Sequence, residues 1–347
     1  MLKRYRRTAD GASRVTANVY LLAEHGIGSA AIDAGAVGIC QRLARAGHES
    51  YIVGGALRDL LTGRDPKDFD IATSARPRQV AGLFRGAHII GRRFKLVHVP
   101  SGARVFEVAT FRGPDRTTAN RYGTMDQDAF RRDFTFNALY YAPRSERLID
   151  YVGGFEDIRR RTLHTVGTPE GSFIEDPVRM IRAAKYARLA GFTMERRYRV
   201  LISRHAGRLA ECSAERLTEE LAKILSCGRA APILDLAHRL GLFAVLLPRL
   251  VVHAGSRLRS SQMGQRLLEL DRRLASAQSP AGRELRTLMF GTLLVEVADQ
   301  DRSWQLEEQP EKGLAQRLRR AMEPLVLPQV DALRVAARLA RDAHGDA

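Results

Sequence analysis

Asp68 and Asp70, separated by Phe69, are the residues of this chain best placed to do chemistry. In a strand, positions i and i+2 share a face, so Asp-Phe-Asp-Ile predicts two carboxylates projecting together, with Phe69 and Ile71 turned to a core. Two like charges held that close repel, and a cation between them relieves the repulsion. Ligation by two carboxylates, completed by the oxygens of a triphosphate, suits Mg²⁺. Just upstream, Tyr51-Ile52-Val53 is a β-prone run that stops at Gly54-Gly55, and the residues from Ala56 to Leu61 then read as a helix. A glycine pair at that junction leaves backbone N–H groups bare, and the helix dipole adds to their attraction for phosphate. A phosphate turn followed closely by an Asp-x-Asp metal pair points to nucleotidyl transfer, in which a hydroxyl attacks and pyrophosphate leaves. Each half alone has a plainer explanation, a turn or a solvated strand edge. Their order and proximity, with Arg58 and Asp59 between them, make the pair informative.

Residues 31–46 must support that turn: their apolar positions (Ile32, Ala36, Ile39, Leu43) have helical spacing, and Gly47 ends the run. Beyond the aspartates, Pro77 suits the first position of a helix over 78–84. Strand-like runs follow at 88–90, 95–99 and 105–111. The last carries Glu107, which is either a third carboxylate on the same sheet or a polar residue on the solvated face of an edge strand. Residues 113–127 are polar and turn-rich and predict a mobile loop. Arg131-Arg132-Asp133 then opens an apolar run. Its charges make either a surface salt bridge, or a phosphate contact through Arg132 with Asp133 joining the acidic site. A short strand and turn over 147–154 closes the α/β part.

From Glu175 onward strand signals vanish and helical spacing takes over, at 214–226, 230–248, 260–277, 280–297, 310–323 and 329–344. The stretch from Glu175 to Arg182 predicts a helix with acids and proline in its first turn. Asp176 and Arg179, three apart, face the same way. They form either an ion pair of little worth or an acceptor and donor aimed at a nucleobase edge. Arg182, one turn further, is within reach of phosphate.

Bulk composition narrows the partner. The 347 residues carry a net charge of +17, from 56 Lys+Arg against 39 Asp+Glu. Codon preference explains arginine over lysine but not the excess over acids. That excess indicates a polyanion, nucleic acid ahead of a membrane surface. No stretch has the apolar length to span a bilayer, and residues 1–14 are basic without the apolar segment of a secretory signal. Cys40, Cys212 and Cys227 show no metal-ligand spacing and suit a reducing compartment. The histidines are scattered, which speaks against a His-Asp phosphohydrolase.

Taken together, Val53-Gly54-Gly55-Ala56-Leu57-Arg58-Asp59, Asp68-Phe69-Asp70, Arg132-Asp133-Phe134-Thr135-Phe136-Asn137-Ala138 and Glu175-Asp176-Pro177-Val178-Arg179-Met180-Ile181-Arg182 resemble, in the same order, the motifs of class II nucleotidyltransferases, the bacterial poly(A) polymerases and CCA-adding enzymes. The resemblance covers roughly residues 23 to 226. It implies an α+β catalytic head, a mixed sheet with helices, followed by all-α neck and body domains. The boundaries expected are a basic, disordered arm over 1–22, a head over 23–155, a neck over 156–226 and an RNA-binding body over 227–347. By resemblance, Gly54, Gly55 and Arg58 hold the triphosphate, Asp68 and Asp70 bind Mg²⁺, and Asp133 is a further catalytic acid. Arg132, Arg179 and Arg182 touch the incoming nucleotide, and Asp176 with Arg179 reads its base. Glu24-His25-Gly26-Ile27 and Gly91-Arg92-Arg93-Phe94 are similar to the poly(A) polymerase branch. The implied activity is therefore template-independent transfer of AMP from ATP to RNA 3′ ends in the cytoplasm, with two metal ions. A CCA-adding enzyme acting on tRNA is the alternative, and an inactive RNA-binding relative a further one. The loop over 113–127 is shorter than in many polymerases, and the sequence lacks the long basic tail some of them carry.

Overall fold

The computed structural model describes residues 2–7, 13–91, 95–114, 121–276, 280–300, 302–306 and 309–344. The chain divides into two compact units, 1–169 and 170–347.

The first unit is built on a nine-stranded sheet. Its strands are β1 (Leu2–Arg7), β2 (Ser13–Tyr20), β3 (Ser50–Val53), β4 (Asp70–Thr73), β5 (His88–Ile90), β6 (Leu96–Ser101), β7 (Arg104–Thr110), β8 (Leu139–Ala142) and β9 (Arg147–Asp150). They lie in the order β1-β2-β9-β8-β3-β4-β7-β6-β5. Among the described strands only β4 and β7 pair in parallel, so the sheet is mixed. Its helices are α1 (Leu22–His25), α2 (Ala34–Arg45), α3 (Gly55–Leu61), α4 (Pro77–Leu83), α5 (Met125–Ala129) and α6 (Gly154–Arg160).

Alternation along the strands assigns the two faces. Ile52, Ile71, Val108, Val97 and Tyr141 are cross-strand neighbours, all buried, on the face that α2, α3 and α4 cover. The opposite face changes character along its width. At the β2 side Val19, Ile149, Tyr140 and Val53 pack with Met125 and Ala129 of α5 into an apolar cluster. From β4 outward the same row becomes Asp70, Glu107, His98 and His88.

In the first unit the structure departs from expectation at three places. Residues 1–22 were expected to be a disordered arm; 2–7 and 13–20 are strands, and β2 hydrogen-bonds β9 across Asn18–Asp150, Val19–Ile149 and Tyr20–Leu148. The alternation in Val15-Thr16-Ala17-Asn18-Val19-Tyr20 is a strand signal that the surrounding charge obscures. Of the two alternatives for Glu107, the edge-strand one does not hold, because β7 lies between β4 and β6, inside the sheet. Part of the expected loop over 113–127 is helical: Gln127 Oε1 accepts the Thr124 N–H in a capping box that starts α5.

The second unit contains, among its described residues, only helices: α7 (Pro169–Glu175), α8 (Val178–Leu189), α9 (Arg196–His205), α10 (Ala214–Leu225), α11 (Ala230–Arg239), α12 (Leu242–Leu246), α13 (Val251–Ala254), α14 (Gln262–Leu274), α15 (Gly282–Gln300), α16 (Pro310–Met322) and α17 (Gln329–His344). The single helix expected over 230–248 is broken at Gly241, whose φ of 77° no side-chain-bearing residue adopts readily. Among the described residues, no helix is long and apolar enough to cross a membrane.

Candidate active site

The glycine turn forms where the sequence places it. β3 ends at Val53, Gly54 takes φ 76° and ψ −139°, and α3 begins at Gly55. A Cβ at Gly54 would sit 3.2 Å from Asp70 Oδ2 and 3.9 Å from Arg132 Nη1. Glycine is therefore required twice, for its positive φ and for the close approach of the acid. Arg58 is buried beneath the turn: Nε and Nη2 donate to Asp59 Oδ1 at 3.0 and 2.9 Å, and Nη1 to Asn137 Oδ1 at 3.0 Å.

The aspartates differ from each other. β4 begins at Asp70, so Asp68 lies in the extended approach to the strand; Asp68 and Asp70 are exposed and Phe69 between them is buried. Parallel pairing of Ile71 with Val108 sets Asp70 beside Glu107 on the same face. Glu107 Oε1 lies 3.5 Å from His98 Nε2 on β6. Among the described residues, no three His, Cys, Asp or Glu side chains are arranged to hold a metal ion.

A cavity of about 360 Å³ opens on this face, with Asp70, Glu107, Asp128, Lys95, Arg112, Arg121, Arg131 and Arg132 in its wall beside Val53, Leu96, Ala109 and Tyr122. Gly54 adjoins it through Asp70 and Arg132. Asp133 is not brought to that wall. Its Oδ1 accepts from the Phe134 N–H at 2.8 Å and from Asn137 Nδ2 at 3.0 Å, so Asn137 links it to Arg58.

Asp128 was missed from the sequence. It is 2% exposed. Oδ1 accepts from Arg112 Nε at 2.6 Å and from the Arg112 backbone N–H at 3.2 Å. Oδ2 accepts from Arg132 Nη2 and Nε at 3.0 and 3.2 Å and from the Tyr140 hydroxyl at 2.6 Å. Burial pushes this carboxyl's pKa up, but the Arg132 and Arg112 guanidiniums outweigh that and hold it well below the usual range. The same burial raises the Tyr140 hydroxyl far above its ordinary value. The Thr124-x-x-Gln127 capping box was the available signal: it predicts a helix whose last turn carries Asp128.

In the helical unit, Glu175 ends α7 and Val178 starts α8, so Asp176 occupies the break where a continuous helix start was expected; Pro177, which has no N–H, is the N-cap. Asp176 and Arg179 do face each other, with Nε 3.9 Å from Oδ2. Arg216 of α10 donates to Asp176 Oδ2 at 2.6 Å. Asp176 Oδ1 is shielded from solvent and meets no donor among the described residues. Arg182 donates through Nε and Nη2 to Glu220 Oε1 at 2.9 and 2.6 Å. Arg92, Arg93 and Phe94 lie outside the described residues. The three cysteines are free thiols, and burial pushes Cys40 up to about 12, far from a nucleophile's range.

Comparison with known proteins adds to this geometry. The family described as Poly A polymerase head domain matches residues 50–164. The one described as probable RNA and SrmB-binding site of polymerase A matches residues 191–252. Poly(A) polymerase I of Salmonella typhi is 37% identical over 295 residues, which span 79% of this chain and 63% of that protein. The CCA-adding enzyme of Geobacillus kaustophilus is 40% identical over 220 residues, 61% of this chain and 54% of that protein. The chain thus spans only part of the length of these relatives. The crystal structure of the Bacillus stearothermophilus CCA-adding enzyme in complex with CTP aligns with a TM-score of 0.59 at 29% identity, over 89% of this chain and 82% of that one.

Proposed function

Because the chain belongs to the class II bacterial-type nucleotidyltransferases, the family of poly(A) polymerases and CCA-adding enzymes, we propose that it adds AMP from ATP to RNA 3′ ends without a template. The observation that carries this reading is the glycine turn pressed against Asp70, with Arg132 beside it, at a cavity walled by both carboxylates and guanidiniums. Guanidiniums suit phosphate oxygens, and a carboxylate among them suits a cation bridging to those oxygens.

In the reaction, the RNA 3′-hydroxyl oxygen attacks the α-phosphorus of ATP, the bond to the β-phosphate oxygen breaks, and pyrophosphate leaves. Asp68 and Asp70, both exposed carboxylates, are the residues that would hold Mg²⁺, an ion that takes oxygen ligands from carboxylates and phosphates. When bound, a pair of such cations neutralises the triphosphate and lowers the pKa of the attacking hydroxyl. Gly54 and Gly55 let the chain approach the phosphates. Arg132 neutralises them, and Arg58 braces the turn from below. Asp133, the further acid of this reading, reaches the turn through Asn137 and Arg58. Asp176 and Arg179 read the base. A shielded acceptor without a donor costs about 1–3 kcal/mol, which an amino group on the base would recover at Asp176 Oδ1. Arg182 completes the nucleotide contacts. The excess basic charge serves RNA, with salt-sensitive and weakly sequence-specific binding, and a cytoplasmic location accords with three free thiols. Asp68, Asp70 and Asp133 are all present, which disfavours an inactive RNA-binding relative.

The longer match to poly(A) polymerase I, 79% of the chain against 61%, favours ATP alone. The 40% identity to a CCA-adding enzyme favours a second reading, CTP followed by ATP on tRNA. Incorporation of labelled ATP and CTP, offered separately with Mg²⁺ to a generic RNA and to a tRNA ending before its CCA, tests both. Long ATP ladders on the generic RNA are expected. CTP incorporation on the truncated tRNA, halting after a few additions, would replace the first reading with the second.

A further inference from the structure

We propose that Asp128 is a positioning residue that holds Arg112 and Arg132 as a two-guanidinium clamp for the triphosphate, which makes Arg112 a phosphate contact in its own right. The inference rests on the transfer reading above and deepens its phosphate site.

Every acceptor position of Asp128 points at one of these partners. Oδ1 takes both the backbone N–H and the Nε of Arg112, which fixes where that side chain leaves the backbone just beyond β7. Oδ2 takes Arg132 and the Tyr140 hydroxyl, and the Tyr140 ring lies 5.1 Å below the Arg132 guanidinium. Arg132 Nη1 donates to the Asn137 carbonyl at 3.1 Å and lies alongside Gly54. Arg132 is thus immobilised against the turn at which a phosphate would sit.

Arg112 is held differently. It is bonded through Nε alone, and its side chain is 39% exposed in the cavity wall. Both of its Nη groups are without a hydrogen-bond partner among the described residues. A guanidinium anchored by one edge and open at the other can meet phosphate oxygens with two parallel hydrogen bonds. Two guanidiniums against one buried carboxylate also leave the cluster with a net positive charge of one, at the edge of a cavity where Asp70 and Glu107 supply the opposite sign. Burying a carboxylate costs several kcal/mol unless it is paired and fully hydrogen-bonded, and here the pairing serves to aim the two arginines.

Competition against ATP incorporation tests the clamp, with inorganic tripolyphosphate and adenosine as inhibitors. For Asp128→Asn, the KM for ATP and the inhibition constant of tripolyphosphate should each rise about ten-fold, the worth of a charge-assisted hydrogen bond. The inhibition constant of adenosine should move by less than about two-fold, and kcat should stay close to wild type. A merely structural role would weaken adenosine and tripolyphosphate alike, which would overturn the proposal, as would an unchanged tripolyphosphate constant. Arg112→Gln keeps Asp128 paired with Arg132 and Tyr140. It should weaken tripolyphosphate in the same way and leave the adenosine constant in place, with some loss of melting temperature because Asp128 loses one cation, and it decides the matter alone if Asp128→Asn does not fold. Wild-type protein that neither binds ATP nor incorporates nucleotide would remove the transfer reading itself. Wild-type transfer with both variants unaffected would remove only the clamp.

Discussion

Asp128 in the sheet unit and Glu220 in the helical unit are both 2% exposed, and each is gripped by two cations. Their surroundings differ. The partners of Asp128 come from separate places, the residues after β7, the residues after α5, and β8, and they converge on a cavity wall. The partners of Glu220 come from one neighbouring helix: Arg182 and Lys185, three apart on α8, reach across to α10, and Lys185 is itself buried. The first arrangement fixes side chains around a space, whereas the second ties two helices together. A buried carboxylate between cations therefore does not identify a site; what the cations adjoin does.

The acids on the cavity face should separate activity from stability most sharply. Asp70→Ala is expected to lower nucleotide incorporation on the order of 10³-fold, since metal coordination is worth several kcal/mol in the transition state. The melting temperature should stay at the wild-type value, because Asp70 is exposed. Asp68→Ala should behave likewise. Incorporation within about ten-fold of wild type with Mg²⁺ supplied would dissolve the assignment of this face.

Glu220→Ala is expected to do the reverse. It leaves Arg182 and Lys185 beside each other without their carboxylate and should cost about 3 kcal/mol, read as a lower denaturant midpoint. If the midpoint holds, Glu220 does not tie the two helices together, and the contrast with Asp128 fails.

Acid should loosen both clusters in the same direction. Burial pushes each carboxyl's pKa up, but the neighbouring cations outweigh it and hold both groups below their unfolded values. Their contributions are present in full above the ordinary carboxylate range of about 4. They are lost as pH falls through the depressed folded values, where the unfolded chain binds more protons than the native one. Denaturant midpoints measured on the acid side should fall with pH, less steeply in Glu220→Gln than in wild type. Equal slopes would show that Glu220 is not held down by its cations. The smallest effect belongs to exposed pairs such as Glu156 with Arg159 and Arg160. Glu156→Gln should change stability by no more than about 0.5 kcal/mol in thermal unfolding.

Local chemistry was legible along the chain. The turn at Gly54, the helix after it, Pro77 at a helix start and the loss of strands beyond Glu175 each depend on residues a few positions apart, so spacing and backbone preference suffice to read them. By itself the sequence also determined the family motifs and the excess of positive charge. Tertiary structure decided what those residues face. Asp70 meets Glu107 only because β4 and β7 pair in parallel, and β2 becomes a strand only by hydrogen-bonding β9, far along the chain. Asp133 was expected at the acidic wall, yet Asn137 turns it toward Arg58. Asp128 is not legible in the sequence, where it is one acid in a polar stretch, because its partners Arg112 and Tyr140 lie in separate parts of the sheet unit that local spacing cannot bring together. Side-chain type and short-range geometry are written in neighbouring residues, whereas pairing across a sheet depends on burying both faces at once, and that is a property of the whole fold.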